Sequence, residues 1–175
     1  LVVGSNLRKD HPLFAQRIRQ AARHGCQVSA VDSVVRDWAL PVQTFVAQSA
    51  SQWVQTLGGI ASAVAQEKGV AAPEGAAPAD DAAQAIARSL LGGERKAVLL
   101  GNAAAHHAQA AQLLALANWI GENTGATVGY LTEAANTVGA QFVGAHPVNG
   151  GLNAGQMLSG GLKAALLLNT EPVHD

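Results

Sequence analysis

Three short phrases place small or amide-bearing residues directly after an apolar run: Leu1-Val2-Val3-Gly4-Ser5-Asn6, Val98-Leu99-Leu100-Gly101-Asn102 and Leu166-Leu167-Leu168-Asn169. A strand followed by such a turn and then a helix is the arrangement that sets ligands at the carboxyl ends of strands in open α/β sheets. Gly4-Ser5-Asn6, ahead of a helix opened by Asp10-His11-Pro12, could offer backbone N–H groups to a phosphate. Asp32 ends the next apolar run, where an acid would meet a ribose in a dinucleotide-binding unit. The plainer reading of each phrase is a turn, and of Asp32 a loop cap. Neither G-x-G-x-x-G nor G-x-x-x-x-G-K-[ST] is present, so ordinary NAD or ATP binding lacks its fingerprint.

The other reactive side chains do not converge along the chain. His106 and His107 are neighbours and point about 100° apart on a helix, with no ligand at i+4. His11, His24, His146 and His174 are scattered. Cys26 is the only cysteine, so an internal disulfide, a thiolate zinc site and an iron–sulfur cluster are all excluded. It follows Gly25 into an apolar run, where a free thiol is expected to pack as a small hydrophobe. Gly144-Ala145-His146-Pro147-Val148-Asn149-Gly150-Gly151 reads as a loop that approaches either a ligand or another part of the protein. No metal site and no catalytic side chain is expected.

These residues are carried by a β–α grammar that occurs twice. Leu1 to Ser5 predicts a buried strand. Pro12 suits the first turn of a helix closed by Gly25, with Phe14, Ile18, Ala21 and Ala22 as its buried stripe. Cys26 to Val31 returns to strand, and Val42 to Ala47 predicts another. Ser51 onward is helical, with Trp53, Leu57, Ile60, Ala61 and Val64 on one face. Gly58-Gly59 weakens that helix by about 1 kcal/mol per glycine, which calls for a close helix–sheet approach. Residues 69–80, GVAAPEGAAPAD, carry no apolar period and predict a flexible, exposed linker between halves 1–68 and 81–175. The second half predicts a helix over 81–91, a strand over 96–100 and a helix over 106–123 striped by Ala110, Leu113, Leu114, Ala117 and Ile120. A strand over 126–131, a loop over 132–153, a turn or two of helix over 154–158 and a closing strand over 162–168 follow. The expected fold is α/β, a three-layer α/β/α domain with a mainly parallel, Rossmann-like sheet.

The 175 residues suffice for one domain, and 49% are apolar against 13% charged. Eleven basic and twelve acidic side chains leave a net charge of -1, which gives no electrostatic case for nucleic-acid binding. No apolar run reaches the roughly 18 residues a membrane-spanning helix needs. The abrupt first strand is read as the edge of a piece of a longer protein.

LVVGSNLRKDHPLFAQRIRQAARHGCQVSAVD resembles the segment of molybdopterin oxidoreductases in which a strand–Gly–x–Asn turn leads into an acid/His-Pro helix and a strand ending in Asp. AVLLGNAAAHHAQAAQLLALANWIGENTGATVGYLTEAANTVGA and the closing LKAALLLNTEP also resemble that family. The phrases VGSNLRKDHPL, Asn136-Thr137-Val138-Gly139-Ala140 and LLLNTEP are similar to its branch of large iron–sulfur subunits of respiratory NADH:quinone oxidoreductases. That resemblance implies iron–sulfur clusters in the N-terminal part of a parent chain, and a pterin-type domain that has lost its molybdopterin. Catalytic members carry Asp-Pro-Arg after the second strand; here the positions read Asp32-Ser33-Val34. An arginine grips phosphate bidentately and valine does not. Gly4, Asn6 and Asp32 would then be remnants of a pterin-nucleotide pocket. The implied partners are other subunits of the peripheral arm and the rest of the chain, with no nucleic acid and no membrane insertion. The alternatives are a cofactor-binding domain of a catalytic, formate-dehydrogenase-like enzyme and the central domain of a thiamine-diphosphate enzyme.

Overall fold

The computed structural model describes residues 1–134, 136–168 and 170. The chain forms two compact units, 1–135 and 136–175. The first holds five strands, β1 Val2–Val3, β2 Ser29–Asp32, β3 Thr44–Ala47, β4 Ala97–Leu100 and β5 Thr127–Tyr130. All pairings are parallel, in the order β3-β2-β1-β4-β5. Helices α1 Leu7–Asp10, α2 Pro12–Arg23, α3 Trp53–Lys68, α4 Asp81–Gly92, α5 Asn102–Ala105 and α6 Ala110–Thr124 flank this sheet. This is the α/β, three-layer arrangement that the sequence predicts. The chain steps outward from β1 to β3, then returns to lay β4 against the other side of β1, so the winding reverses between β1 and β4.

Strand side chains alternate between faces. Val3, Val31, Val46, Val98 and Leu100 enter a core with Trp53, Leu57 and Ile60 of α3, Ile86 of α4, and Leu113 and Ile120 of α6. Val2 and Ala30 face the opposite way, into a smaller cluster with Leu7, Trp38 and Leu131. The stripes predicted on α3 and α6 therefore face the core. That of α2 is different. Ala15, Ile18 and Ala22 are half-buried, whereas Phe14 is 56% exposed and Ala21 is exposed. The side of α2 that carries Ala15 and Ile18 packs on the second cluster, and the larger Leu13 and Phe14 stay outside.

Other expectations are corrected. Gly25, at φ +94°, ends α2, and β2 begins only at Ser29, so Cys26 is exposed rather than packed in a strand. The helix expected over 106–123 starts later, at Ala110. Its first four residues form a turn between α5 and α6, where His107 Nδ1 accepts the Gln109 N–H at 2.9 Å and its Nε2 donates to Ala50 O at 2.9 Å. The close approach of Gly58-Gly59 is to residues 69–80 and not to the sheet. A Cβ on Gly58 would strike the carbonyl of Gly75, and one on Gly59 would lie 3.0 Å from that of Pro78. Segment 69–80 thus rests on α3, and strands from before and after it share one sheet. Asp80 then caps α4 by accepting the Ala83 N–H at 2.7 Å.

The second unit contains α7 Thr137–Phe142, inside the stretch expected as loop, and α8 Ala154–Leu158, capped reciprocally by Asn153 and Gln156. None of its described residues is buried. The strand expected over 162–168 is absent from the described residues. Leu166 is 97% and Leu168 88% exposed, because no described strand of this unit offers a ladder to pair with. Asn169, Glu171, Pro172 and His174 lie outside the described residues. No helix among the described residues is long and apolar enough to cross a membrane.

Candidate functional site

The reversal between β1 and β4 brings two of the sequence phrases together. Gly4 and Gly101 end adjacent parallel strands, and the Gly101 N–H donates to Val3 O at 2.8 Å while the Ala103 N–H donates to Gly4 O at 3.1 Å. A Cβ on Gly101 would collide with the Cβ of Ser5, so this glycine permits contact between the two turns. Gly4 has φ +61°, and a Cβ there would lie 2.7 Å from Cζ3 of Trp53 and 2.9 Å from Ala104 N. Both glycines thus serve close packing. Ser5 is 3% exposed and its hydroxyl has no partner among the described residues.

Gly4, Asn6 and Asp32 share one rim, at the carboxyl ends of the neighbouring strands β1 and β2, as the pocket reading requires. The Gly4 and Asn6 N–H groups and the Asp32 carboxylate are already engaged. The Gly4 N–H donates to Val31 O at 2.9 Å, and the Asn6 N–H donates to the Asp10 carboxylate at 3.3 Å. That carboxylate sets negative charge where a phosphate would dock. Asp32, 3% exposed, accepts from the Ser33 N–H at 2.7 Å and the Val34 N–H at 3.3 Å through Oδ1, and its Oδ2 lies 3.5 Å from Arg36 Nε. It caps its own loop, and Arg36 faces Asp32.

The rest of that loop is braced as well. Arg8 of α1 pairs with Asp37, whose Oδ1 accepts the Ala39 N–H at 2.9 Å. That backbone bond and the Arg8 cation hold the Asp37 carboxyl below the usual carboxylate range. Ala39 takes φ +52°, an uncommon conformation for a residue with a Cβ. It turns Trp38 down onto Val2, Leu7 and Ala30, edge-on to Phe45 at 6.2 Å. Sequence reasoning missed Trp38, Asp10 and the Arg8–Asp37 pair. The Asp32–Arg36 spacing of four was the one local signal available.

The rim is a poor fit for a phosphate-bearing cofactor, although Lys9 of α1 pairs with no described acid. Asp10 and Asp32 set carboxylates along it, Arg8 and Arg36 are committed to acids, and Val34, 50% exposed, stands where a phosphate-gripping arginine would stand.

The opposite end of the sheet holds a cavity of about 1050 Å³, lined among others by Leu1, Cys26, Arg88 and Lys96. The Leu1 backbone nitrogen donates to Ala97 O at 2.9 Å. The amino ends of strands are not where open α/β sheets bind their ligands. His106 Nε2 lies 3.3 Å from Glu133 on the exposed rim beyond β4 and β5. Among the described residues no three His, Cys, Asp or Glu side chains gather. The loop 144–151 is an exposed part of the second unit.

No curated protein is similar enough to count as a relative. The family model for molybdopterin oxidoreductase matches residues 1–175, the whole length of the chain. The all-parallel sheet with its switch between β1 and β4, the glycine turns that meet there and this full-length match lead to one conclusion: the chain belongs to the molybdopterin oxidoreductase family.

Proposed function

We propose that the chain is a structural, cluster-free segment of the large iron–sulfur subunit of a bacterial NADH:quinone oxidoreductase (respiratory complex I). It scaffolds the electron-transfer arm and carries no electrons itself. The observation that carries this reading is the self-capped rim: Asp32 is satisfied by Ser33, Val34 and Arg36, the Asn6 N–H by Asp10, and both rim arginines, Arg8 and Arg36, face acids. The phrases VGSNLRKDHPL and Asn136–Ala140 support the assignment within the family. In this reading the clusters lie in the N-terminal part of the parent subunit, and molybdopterin has been lost. The enzymatic activity belongs to the assembly, electron transfer from NADH to quinone. Partners are other subunits of the peripheral arm and the rest of the same polypeptide, with no nucleic acid and no membrane insertion. The location is peripheral, on the cytoplasmic side of the inner membrane.

The chemistry asked of such a segment is positional. Fixed metal centres need rigid protein around them. A sheet whose one face is sealed by three helices, with its turns locked by glycine contacts, supplies that. The alternative is a pterin-nucleotide-binding domain of a catalytic, formate-dehydrogenase-like enzyme, favoured by the retention of Gly4, Asn6 and Asp32 on one rim. Elemental analysis of the full-length protein separates the two. Iron without molybdenum is expected, together with no guanosine diphosphate binding tighter than micromolar by calorimetry. Stoichiometric molybdenum would establish the alternative.

A further inference from the structure

The net charge of -1 conceals an asymmetry. Residues 1–36 hold six of the eleven Lys and Arg side chains but only two of the twelve acids, Asp10 and Asp32. Two of the six are spent internally, Arg8 on Asp37 and Arg36 on Asp32. Lys9, Arg17, Arg19 and Arg23 pair with no carboxylate among the described residues. The three arginines lie on α2, whose half-buried stripe is Ala15, Ile18 and Ala22, so they stand clear of the sheet.

Apolar side chains stand among these cations. Leu13 is 76% and Phe14 56% exposed at the start of α2, and Val34 is 50% and Val35 73% exposed just after β2. Both segments leave the same rim, since β1 and β2 are parallel neighbours. Single exposed apolar residues need no explanation. Here two of them ride on a loop pinned by Asp32, Arg36, Asp37 and Arg8, so their exposure belongs to a braced conformation. Apolar anchors within a rim of charge are the anatomy of a protein interface.

We propose that α1, α2 and the loop 33–37 form a docking surface for a protein partner that offers an apolar pocket rimmed by carboxylates. The cations steer and orient the encounter, and Leu13, Phe14, Val34 and Val35 supply the desolvated contact. An anionic membrane is the weaker fit, because a helix lying on lipid sinks its own apolar stripe into it, and the stripe of α2 faces the sheet. Nucleic acid is also the weaker fit, because the exposed apolar side chains would be left against phosphate. The inference stands apart from the proposed role in respiration, since a partner from any assembly satisfies it.

The test places the photocross-linking amino acid benzoylphenylalanine at Leu13 or at Val35 of the full-length protein in its own cells, with each adduct mapped by mass spectrometry. Both positions are expected to join one polypeptide, at a segment carrying Asp or Glu beside apolar residues. Arg17→Glu with Arg19→Glu is expected to cut adduct yield about tenfold, as reversed charges at a complementary interface do. Arg95→Glu, a cation outside this surface, should leave it unchanged. Both variants should keep the parent melting temperature; if the double variant does not, Arg19→Glu alone carries the comparison. Adducts to unrelated proteins, adducts only to lipid or nucleic acid, or a yield indifferent to charge reversal would overturn the proposal.

Discussion

The two faces of the β3-β2-β1-β4-β5 sheet are covered very differently. One packs beneath α3, α4 and α6 in a cluster of eighteen buried residues; the other reaches only five, and α2 contributes none of them. Both faces come from the same short strands, with Val3 turned one way and Val2 the other. Burial of apolar area supplies most of the driving force for folding, so stability concentrates on the first face. Each face has its own tryptophan. Trp53 is 1% exposed, lies against Gly4, stacks on His107 at 5.9 Å and 24°, and donates from Nε1 to Gln48 O at 3.2 Å. Trp38 is 7% exposed, and its buried Nε1 has no acceptor among the described residues.

The strongest way to break this contrast is Trp53→Ala. It removes the ring that fills the space beside Gly4 and frees His107, and is expected to cost about 3–5 kcal/mol in urea unfolding. A loss under about 1 kcal/mol would mean that the thick face does not hold the fold.

A smaller effect, of opposite character, is expected from Trp38→Phe. Leaving a buried donor unpaired costs about 1–3 kcal/mol. Phenylalanine removes that donor while keeping an aromatic ring against Phe45, at the expense of some apolar area. The two terms nearly cancel, so stability should stay within about 1 kcal/mol of the parent. A clear destabilisation in the same unfolding assay would show that the indole N–H does more than fill space.

How far the sequence revealed these faces depends on the range of the interaction. Strand positions and the stripes of α3 and α6 were legible because alternation and helical spacing are local patterns. The cap at Asp32 was legible for the same reason. The stripe of α2 differs from the expected one because Ile18 and Ala22 belong to both candidate stripes, and side-chain size alone favours Phe14 over Ala15. Gly58-Gly59 announced a close approach but could not name its neighbour, which comes from residues 75–78. Residues 162–168 have the composition of a strand, yet a strand exists only where another edge meets it. Of the candidate site, Gly4, Asn6 and Asp32 stand on one rim, at the carboxyl ends of β1 and β2. The groups that satisfy that rim were hidden in the loop 33–39, where Ala39 adopts φ +52° without a glycine to signal it.

The smallest expected effect sharpens the contrast most. Phe14→Ser removes a large apolar side chain from a helix, a change that costs several kcal/mol when the residue is in a core. Phe14 is 56% exposed, and its aromatic neighbour is His11, edge-on at 6.4 Å. The cost in thermal or urea unfolding should therefore be within about 0.5 kcal/mol, as for other surface substitutions. If the change instead destabilises the protein by core-like amounts, α2 belongs to the folding core and the thin face is not thin. If stability is kept, Phe14 contributes almost nothing to the fold, and the exposure of so large an apolar side chain beside Arg17 must be accounted for by something outside it.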